Sequence, residues 1–148
     1  MAPLLHVLNG PNLNRLGVRE PRIYGGASLA DIEAMLAARL KERGFGLVFR
    51  QTNHEGELVS FIHEADGAAG MALNAGAFTH TSIAVADAVR SVATPVVELH
   101  LSNVFARESF RHHSYIAPVA RGVICGFGAH SYWLAAEALI HFYEAEEA

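Results

Sequence analysis

Short apolar runs alternate with longer stretches of helical period along the chain. Leu4 to Leu8, Phe45 to Arg50, Gly70 to Leu73, Pro95 to Leu99 and Val119 to Cys125 are Leu-rich or β-branched and are followed by turn residues, which predicts five strands. Between them, Ser28 to Arg43 places Leu29, Ile32, Met35, Leu36 and Leu40 at helical spacing. The stretch opens with the capping pattern Ser28-x-x-Asp31 and is stopped by Gly44. Further helices are predicted over Glu57 to Ala65, His80 to Val92 and Ala129 to Glu146.

Parallel strands joined by helical crossovers are connected right-handedly and covered on both faces. For 148 residues this predicts an α/β fold: one three-layer domain over residues 1–148, with a doubly wound five-stranded parallel sheet, flavodoxin-like, in strand order 2-1-3-4-5. Ligands of such sheets bind outside the carboxyl ends of the strands. Three polar clusters follow those ends and are expected on one edge: Asn9, Gly10, Pro11, Asn12 and Asn14; Asn74, Gly76, Thr79 and His80; and Glu98, His100, Ser102 and Asn103. Residues 10–27 have neither helix nor strand period, which makes a long connection in a small domain. Leu13, Leu16, Val18, Ile23 and Tyr24 argue against a disordered tract, and with Arg15, Arg19 and Arg22 the segment reads as an active-site lid.

Composition narrows the chemistry. Lys+Arg 11 against Asp+Glu 15 gives a formal charge of -4, which offers no basic surface for a nucleic acid and points to a small ligand. Cys125 is the only cysteine, so an intrachain disulfide and a cysteine zinc cluster are both excluded, and a reducing, cytoplasmic setting is expected. No apolar run reaches the ~18 residues of a membrane span. Met1 to His6 has no basic region before its apolar residues and reads as a strand, not a signal peptide. The glycines at 10, 17, 25 and 26 match neither a dinucleotide nor a Walker spacing. Asp31, Asp66 and Asp87 do not follow strand ends, and the nine histidines lack metal-ligand spacing, so neither metal nor cofactor is expected. Lys41 is the one lysine, which confines any Schiff-base route to that residue.

No G-x-S-x-G elbow is present, and Cys125, inside the last strand, is expected to be a buried, inert thiol. General acid-base chemistry on an anionic substrate is what the remaining polar residues can support. Tyr24 lies near Arg19 and Arg22, whose charge would favour the ionised phenol and make it a base. A loop tyrosine packed over the sheet edge with both arginines solvated fits the spacing equally well. Glu98 and His100 are two apart on a strand end and share a side, so the carboxylate can orient the imidazole as a general acid; the plainer reading is a surface ion pair. Arg107 and Arg111 can grip a carboxylate or act as surface ion-pair partners. His6 is expected to be a buried or rim histidine, and His54, His63, His130 and His141 to have surface or capping roles.

Several runs together resemble the type II 3-dehydroquinate dehydratases. They are Leu8-Asn9-Gly10-Pro11-Asn12-Leu13-Asn14 with Gly17-x-Arg19-Glu20-Pro21 and Tyr24-Gly25, then Gln51-Thr52-Asn53-His54-Glu55-Gly56 and Leu73-Asn74-Ala75-Gly76-Ala77. The last is Glu98-Leu99-His100-Leu101-Ser102-Asn103, leading to Arg107-Glu108 and Phe110-Arg111-His112-His113-Ser114. The resemblance implies anti elimination of water from 3-dehydroquinate through an enolate, with neither metal nor imine, in the shikimate or quinate pathway. It implies Tyr24 as base with its pKa lowered by Arg19, Asn12 stabilising the enolate through a water, and His100 as acid held by Glu98. Substrate binding falls to Asn74, His80, Arg111 and the backbone at Leu101 and Ser102. Asp87 matches a position given to the neighbouring subunit's site, which implies trimers assembling into a homododecamer. Phe105 and Arg15 depart from residues common in the family, and neither is a matched catalytic position. Two other classes remain open on the residues alone: a non-catalytic small-molecule sensor, which needs no paired acid and base, and a histidine-metal hydrolase, which needs bound metal.

Overall fold

A computed structural model describes residues 1–18 and 26–147. Its five strands are β1 (Leu4–Asn9), β2 (Gly46–Gln51), β3 (Gly70–Asn74), β4 (Val96–His100) and β5 (Gly122–Cys125). All neighbours are parallel and the order is β2-β1-β3-β4-β5. The helices are α1 (Leu29–Glu42), α2 (Glu55–Glu64), α3 (Ile83–Ser91) and α4 (His130–Glu147). This is the doubly wound, flavodoxin-like sheet that the alternating pattern predicts.

Alternation along the central strands divides the core in two. Leu5 and Val7 of β1, Ala72 of β3, and Val97 and Leu99 of β4 face α1 and α4, where Ile32, Leu36, Leu40, Leu139 and Ile140 cover them. Leu8, Met71, Leu73 and Val96 face the other way, onto Leu58 and Ile62 of α2 and Val85 and Val89 of α3. Each leucine sealed this way contributes roughly 1.5–3 kcal/mol from burial. Two helices, α1 and α3, are capped by serine. Ser28 Oγ accepts from Asp31 N at 3.1 Å while Asp31 returns a carboxylate to Ser28 N at 3.0 Å, and Ser82 Oγ accepts from Val85 N at 2.9 Å.

Four expectations need correction. The third helix begins at Ile83, not His80, because Gly76–His80 closes as a 3-10 turn and the Ser82 side chain captures the first free helical N–H. The fifth strand begins at Gly122, not Val119: Pro118 lies in a 3-10 turn, Ala117–Val119, and has no N–H to give a ladder. The second helix starts two residues early, at Glu55. The expected lid is not without helix, since Leu13–Arg15 forms a 3-10 turn whose Leu13, with Leu16, is buried in the core. Residues 101–119, between β4 and β5, carry three such turns, and these build one wall of the site.

Candidate active site

All three polar clusters meet at the carboxyl edge of the sheet. A cavity of about 150 Å³ lies there, lined by Asn12, Asn74, Gly76, His80, His100, Leu101, Ser102, Arg107 and Arg111 with apolar neighbours.

The β1 end reaches it through a tight crossing. A Cβ on Gly10 would stand 2.2 Å from Ala75 O, so only glycine lets the chain leaving β1 pass the chain leaving β3. Asn12 then takes a left-handed φ of 69°, which asparagine tolerates. The end of β2 supports that turn: Asn53 Oδ1 accepts from Asn12 N at 3.0 Å and from Gln51 Nε2 at 3.1 Å.

At the β4 end Glu98 and His100 are both buried, 2% and 6% exposed, which sets aside the surface ion pair. His100 Nε2 lies 2.6 Å from Glu98 Oε2, so the carboxylate fixes the ring and leaves Nδ1 as its other polar atom. Glu98 Oε1 is taken by Ser114, whose hydroxyl donates to it at 2.7 Å while Oγ accepts from Ile116 N and Ala117 N. The loop carrying Ser114 is thereby tied to the carboxylate behind His100.

His80 stands beside this pair. Its Nδ1 is 2.7 Å from the carbonyl oxygen of His113, which can only accept, so Nδ1 carries the proton and Nε2 of the neutral ring is an acceptor. Burial, with the nearby charge of His100 and Arg111, lowers its pKa below 6.5 against the opposing His113 hydrogen bond.

Arg107 and Arg111 share one carboxylate. Glu108 Oε1 is 3.8 Å from Arg107 Nε, and Glu108 Oε2 is 3.2 Å from Arg111 Nε. A bond from its own backbone, then that from Arg111, holds the Glu108 carboxyl below its usual range. Arg107 also reaches Ser102 Oγ at 3.5 Å. The cavity thus has a cationic wall suited to a carboxylate ligand.

Of the expected site residues, Asn12, Asn74, His80, His100, Leu101, Ser102 and Arg111 line the cavity, and Glu98 stands directly behind it. Asp87 does not: it is exposed on α3, 3.9 Å from Arg90. Arg19, Arg22 and Tyr24 lie outside the described residues. Cys125 is half-buried, not sealed, because β5 is the edge strand. Ser114, Asn53 and Gln51 sit inside signature runs, yet no spacing rule links them to the cavity. Among the described residues, no group of three or more His, Cys, Asp or Glu side chains is gathered to hold a metal. No helix there is long and apolar enough to cross a membrane.

A doubly wound sheet with a carboxylate-bound histidine, an acceptor imidazole and paired guanidiniums at its carboxyl edge defines a small α/β protein with an ionisable pocket suited to an anion. Comparison with known proteins makes this specific. The family model described as "Dehydroquinase class II" matches residues 3–140. A 3-dehydroquinate dehydratase of Azorhizobium caulinodans is 61% identical over 139 residues, covering 94% of this chain and 95% of that protein. The type II dehydroquinase crystal structure from Butyrivibrio crossotus aligns with a TM-score of 0.91 at 40% identity, covering 93% of this chain and 97% of that one. That from Propionibacterium acnes aligns at 0.88, also at 40% identity, over 97% and 98%. The chain belongs to the class II dehydroquinase family.

Proposed function

We propose that this chain is a 3-dehydroquinate dehydratase, removing water from 3-dehydroquinate by anti elimination through an enolate to give 3-dehydroshikimate. Family membership supports the substrate, and the observation that carries the mechanism is the buried Glu98–His100 pair opening on a cavity with a cationic wall. The substrate carboxylate pairs with Arg111 and the backbone N–H groups at Leu101 and Ser102, while Asn74 and His80 hold its hydroxyls. Tyr24, as the phenolate, takes a proton from the carbon beside the ketone. Arg19 lowers the phenol's pKa and offsets the developing charge; both roles rest on the signature residues around them. Asn12, through a water, stabilises the enolate oxygen. His100 then gives a proton from Nδ1 to the departing hydroxyl while Nε2 stays on Glu98. Positioned proton donors of this kind are worth about 10²–10⁴-fold in rate.

This route uses neither a metal nor an imine. Lys41, the only lysine, is exposed in the last turn of α1 and does not line the cavity. Asp87, exposed and outside this chain's own cavity, is assigned to the site of a neighbouring subunit in trimers that build a homododecamer. We place the reaction in the shikimate pathway of aromatic amino acid synthesis and in the cytoplasm, in keeping with a single cysteine.

Mixing the assembled protein with 3-dehydroquinate tests the proposal. A rise in ultraviolet absorbance is expected as the conjugated enone forms, in the presence of chelator and of borohydride alike. Absence of that rise from folded, assembled protein overturns it.

A further inference from the structure

One buried phenol has no part in the steps above. Tyr132, in the first turn of α4, is 0% exposed. Its hydroxyl donates to Asn9 Oδ1 at 2.6 Å and accepts from Asn74 Nδ2 at 2.9 Å, joining the carboxyl ends of β1 and β3. We propose that Tyr132 is a positioning residue for the reaction, fixing which side of the Asn74 amide faces the ligand. This rests on Asn74 binding substrate, the role given to it under the proposed function.

The direction of every proton in the chain is set by its two ends. The carbonyl of Arg50 can only accept, so the Asn9 atom 2.9 Å away is Nδ2, and Asn9 Oδ1 is what faces the phenol. The hydroxyl must therefore donate to Asn9, which leaves its oxygen as an acceptor toward Asn74. At the far end the N–H of Gly76 can only donate, and it meets Asn74 Oδ1 at 3.3 Å. Both ends thus require the same Asn74 orientation, with Nδ2 on Tyr132 and Oδ1 on Gly76. One Nδ2 proton is committed to the phenol, so the second Nδ2 proton and the remaining Oδ1 lone pair, in fixed places, are what Asn74 can offer a ligand. Burial raises the phenol's pKa above its ordinary 10, so it stays protonated and the direction does not change with pH in the working range.

Phenylalanine at this position keeps the ring buried in the core shared by α1, α4 and the sheet but removes the oxygen. Asn9 Oδ1 and Asn74 Nδ2 then lose a partner at sites 0% and 2% exposed, where water cannot replace it. The Asn74 amide is freed to turn about its last torsion, trading its donor for its acceptor where the ligand binds.

Kinetics of Tyr132→Phe, Asn74→Ala and the double variant test this, with crystal structures of the wild-type protein and Tyr132→Phe. Tyr132→Phe is expected to raise KM for 3-dehydroquinate about tenfold, more than it lowers kcat, as loss of one buried hydrogen bond implies. In the Asn74→Ala background the same change should leave KM within about twofold, since the group through which Tyr132 acts is already gone. The crystal structures, at a resolution that separates amide oxygen from nitrogen, should show the Asn74 amide fixed in the wild type and rotated or split in Tyr132→Phe. A less stable Tyr132→Phe with unchanged KM and a fixed Asn74 would show a structural role only, as would KM effects that multiply in the double variant. Where Tyr132→Phe does not fold, Asn9→Ala disturbs the same network from its other end and should give the same rise in KM; an unchanged KM there overturns the proposal. If the wild-type protein does not turn over 3-dehydroquinate, the functional reading fails, and the position of Asn74 in the two crystal structures decides the positioning role alone.

Discussion

The imidazole rings of His80 and His100 lie nearly parallel, 18° apart in plane with centroids separated by 6.1 Å. The proposed mechanism gives them opposite roles toward the cavity. His100, held by a carboxylate, is there the imidazolium that gives up its Nδ1 proton, whereas His80 donates its Nδ1 proton to His113 and offers a lone pair. The lowered pKa of His80 keeps that lone pair available where a free imidazole would be half protonated. KM for 3-dehydroquinate should therefore stay flat through pH 6.5 and rise only in more acid solution, as Nε2 gains a proton. A steady-state pH profile checks this, and a KM that already rises on crossing 6.5 from above counts against the acceptor role.

Protein stability should follow pH with the same sign. His6 is lowered by burial and then by Arg50, and His80 by burial, so the unfolded chain binds protons at both positions more readily than the native one. Stability then falls as pH drops below 6.5 and goes on falling until the native pKa values are passed. Asp31 and Glu108, held below 3.8 and 4.5, add a further loss in stronger acid. Denaturant midpoints measured between pH 7.5 and pH 5 should decrease, and His6→Leu should reduce the slope. A midpoint that rises on acidification contradicts the assignment.

Ser114→Ala removes the hydroxyl that donates to Glu98 Oε1 and the oxygen that accepts from Ile116 N and Ala117 N. A hydrogen bond to a charged group is worth about 1.5–3 kcal/mol, so a fall in kcat of about tenfold or more is expected. KM should change less, because Ser114 does not line the cavity. Threonine at the same position keeps the hydroxyl and should recover most of the rate, a rescue that a purely structural serine gives no reason to expect in kcat.

Two glycines separate conformational need from coincidence. Gly10→Ala would place Cβ 2.2 Å from Ala75 O, at the crossing that brings Asn12 and Asn74 to one cavity. A loss of about 3 kcal/mol or more is expected, since backbone on both sides must part. Gly56 lies in the first turn of α2, where an added Cβ would meet nothing within 4 Å. Gly56→Ala should therefore be neutral or stabilising by up to about 1 kcal/mol. Chemical denaturation of both variants decides the pair.

The sequence made the sheet legible because each strand repeats one signal, a short apolar run ending in polar turn residues, and that edge logic also brought Asn12, Asn74, His80, His100 and Ser102 together. Its errors fall where local chemistry interrupts a period. Ser82 begins a helix that the apolar pattern would start at His80, and Pro118 delays a strand that the pattern would start at Val119. The roles of Ser114 and Tyr132 could not be read, because their partners are 16 and 58 residues away; Ser114 closes a signature run that names no partner for it, and Tyr132 lies in none. Only packing of the β4–β5 connection and of α4 against the sheet reveals them.

The anti elimination assigned to this site is tested most directly with 3-dehydroquinate deuterated stereospecifically on the carbon between the ketone and the carbon bearing the departing hydroxyl. Mass analysis of the 3-dehydroshikimate formed should show loss of the deuterium that lies anti to that hydroxyl and retention of the one that lies syn. Loss of the syn label would contradict a base and an acid working from opposite faces of the substrate.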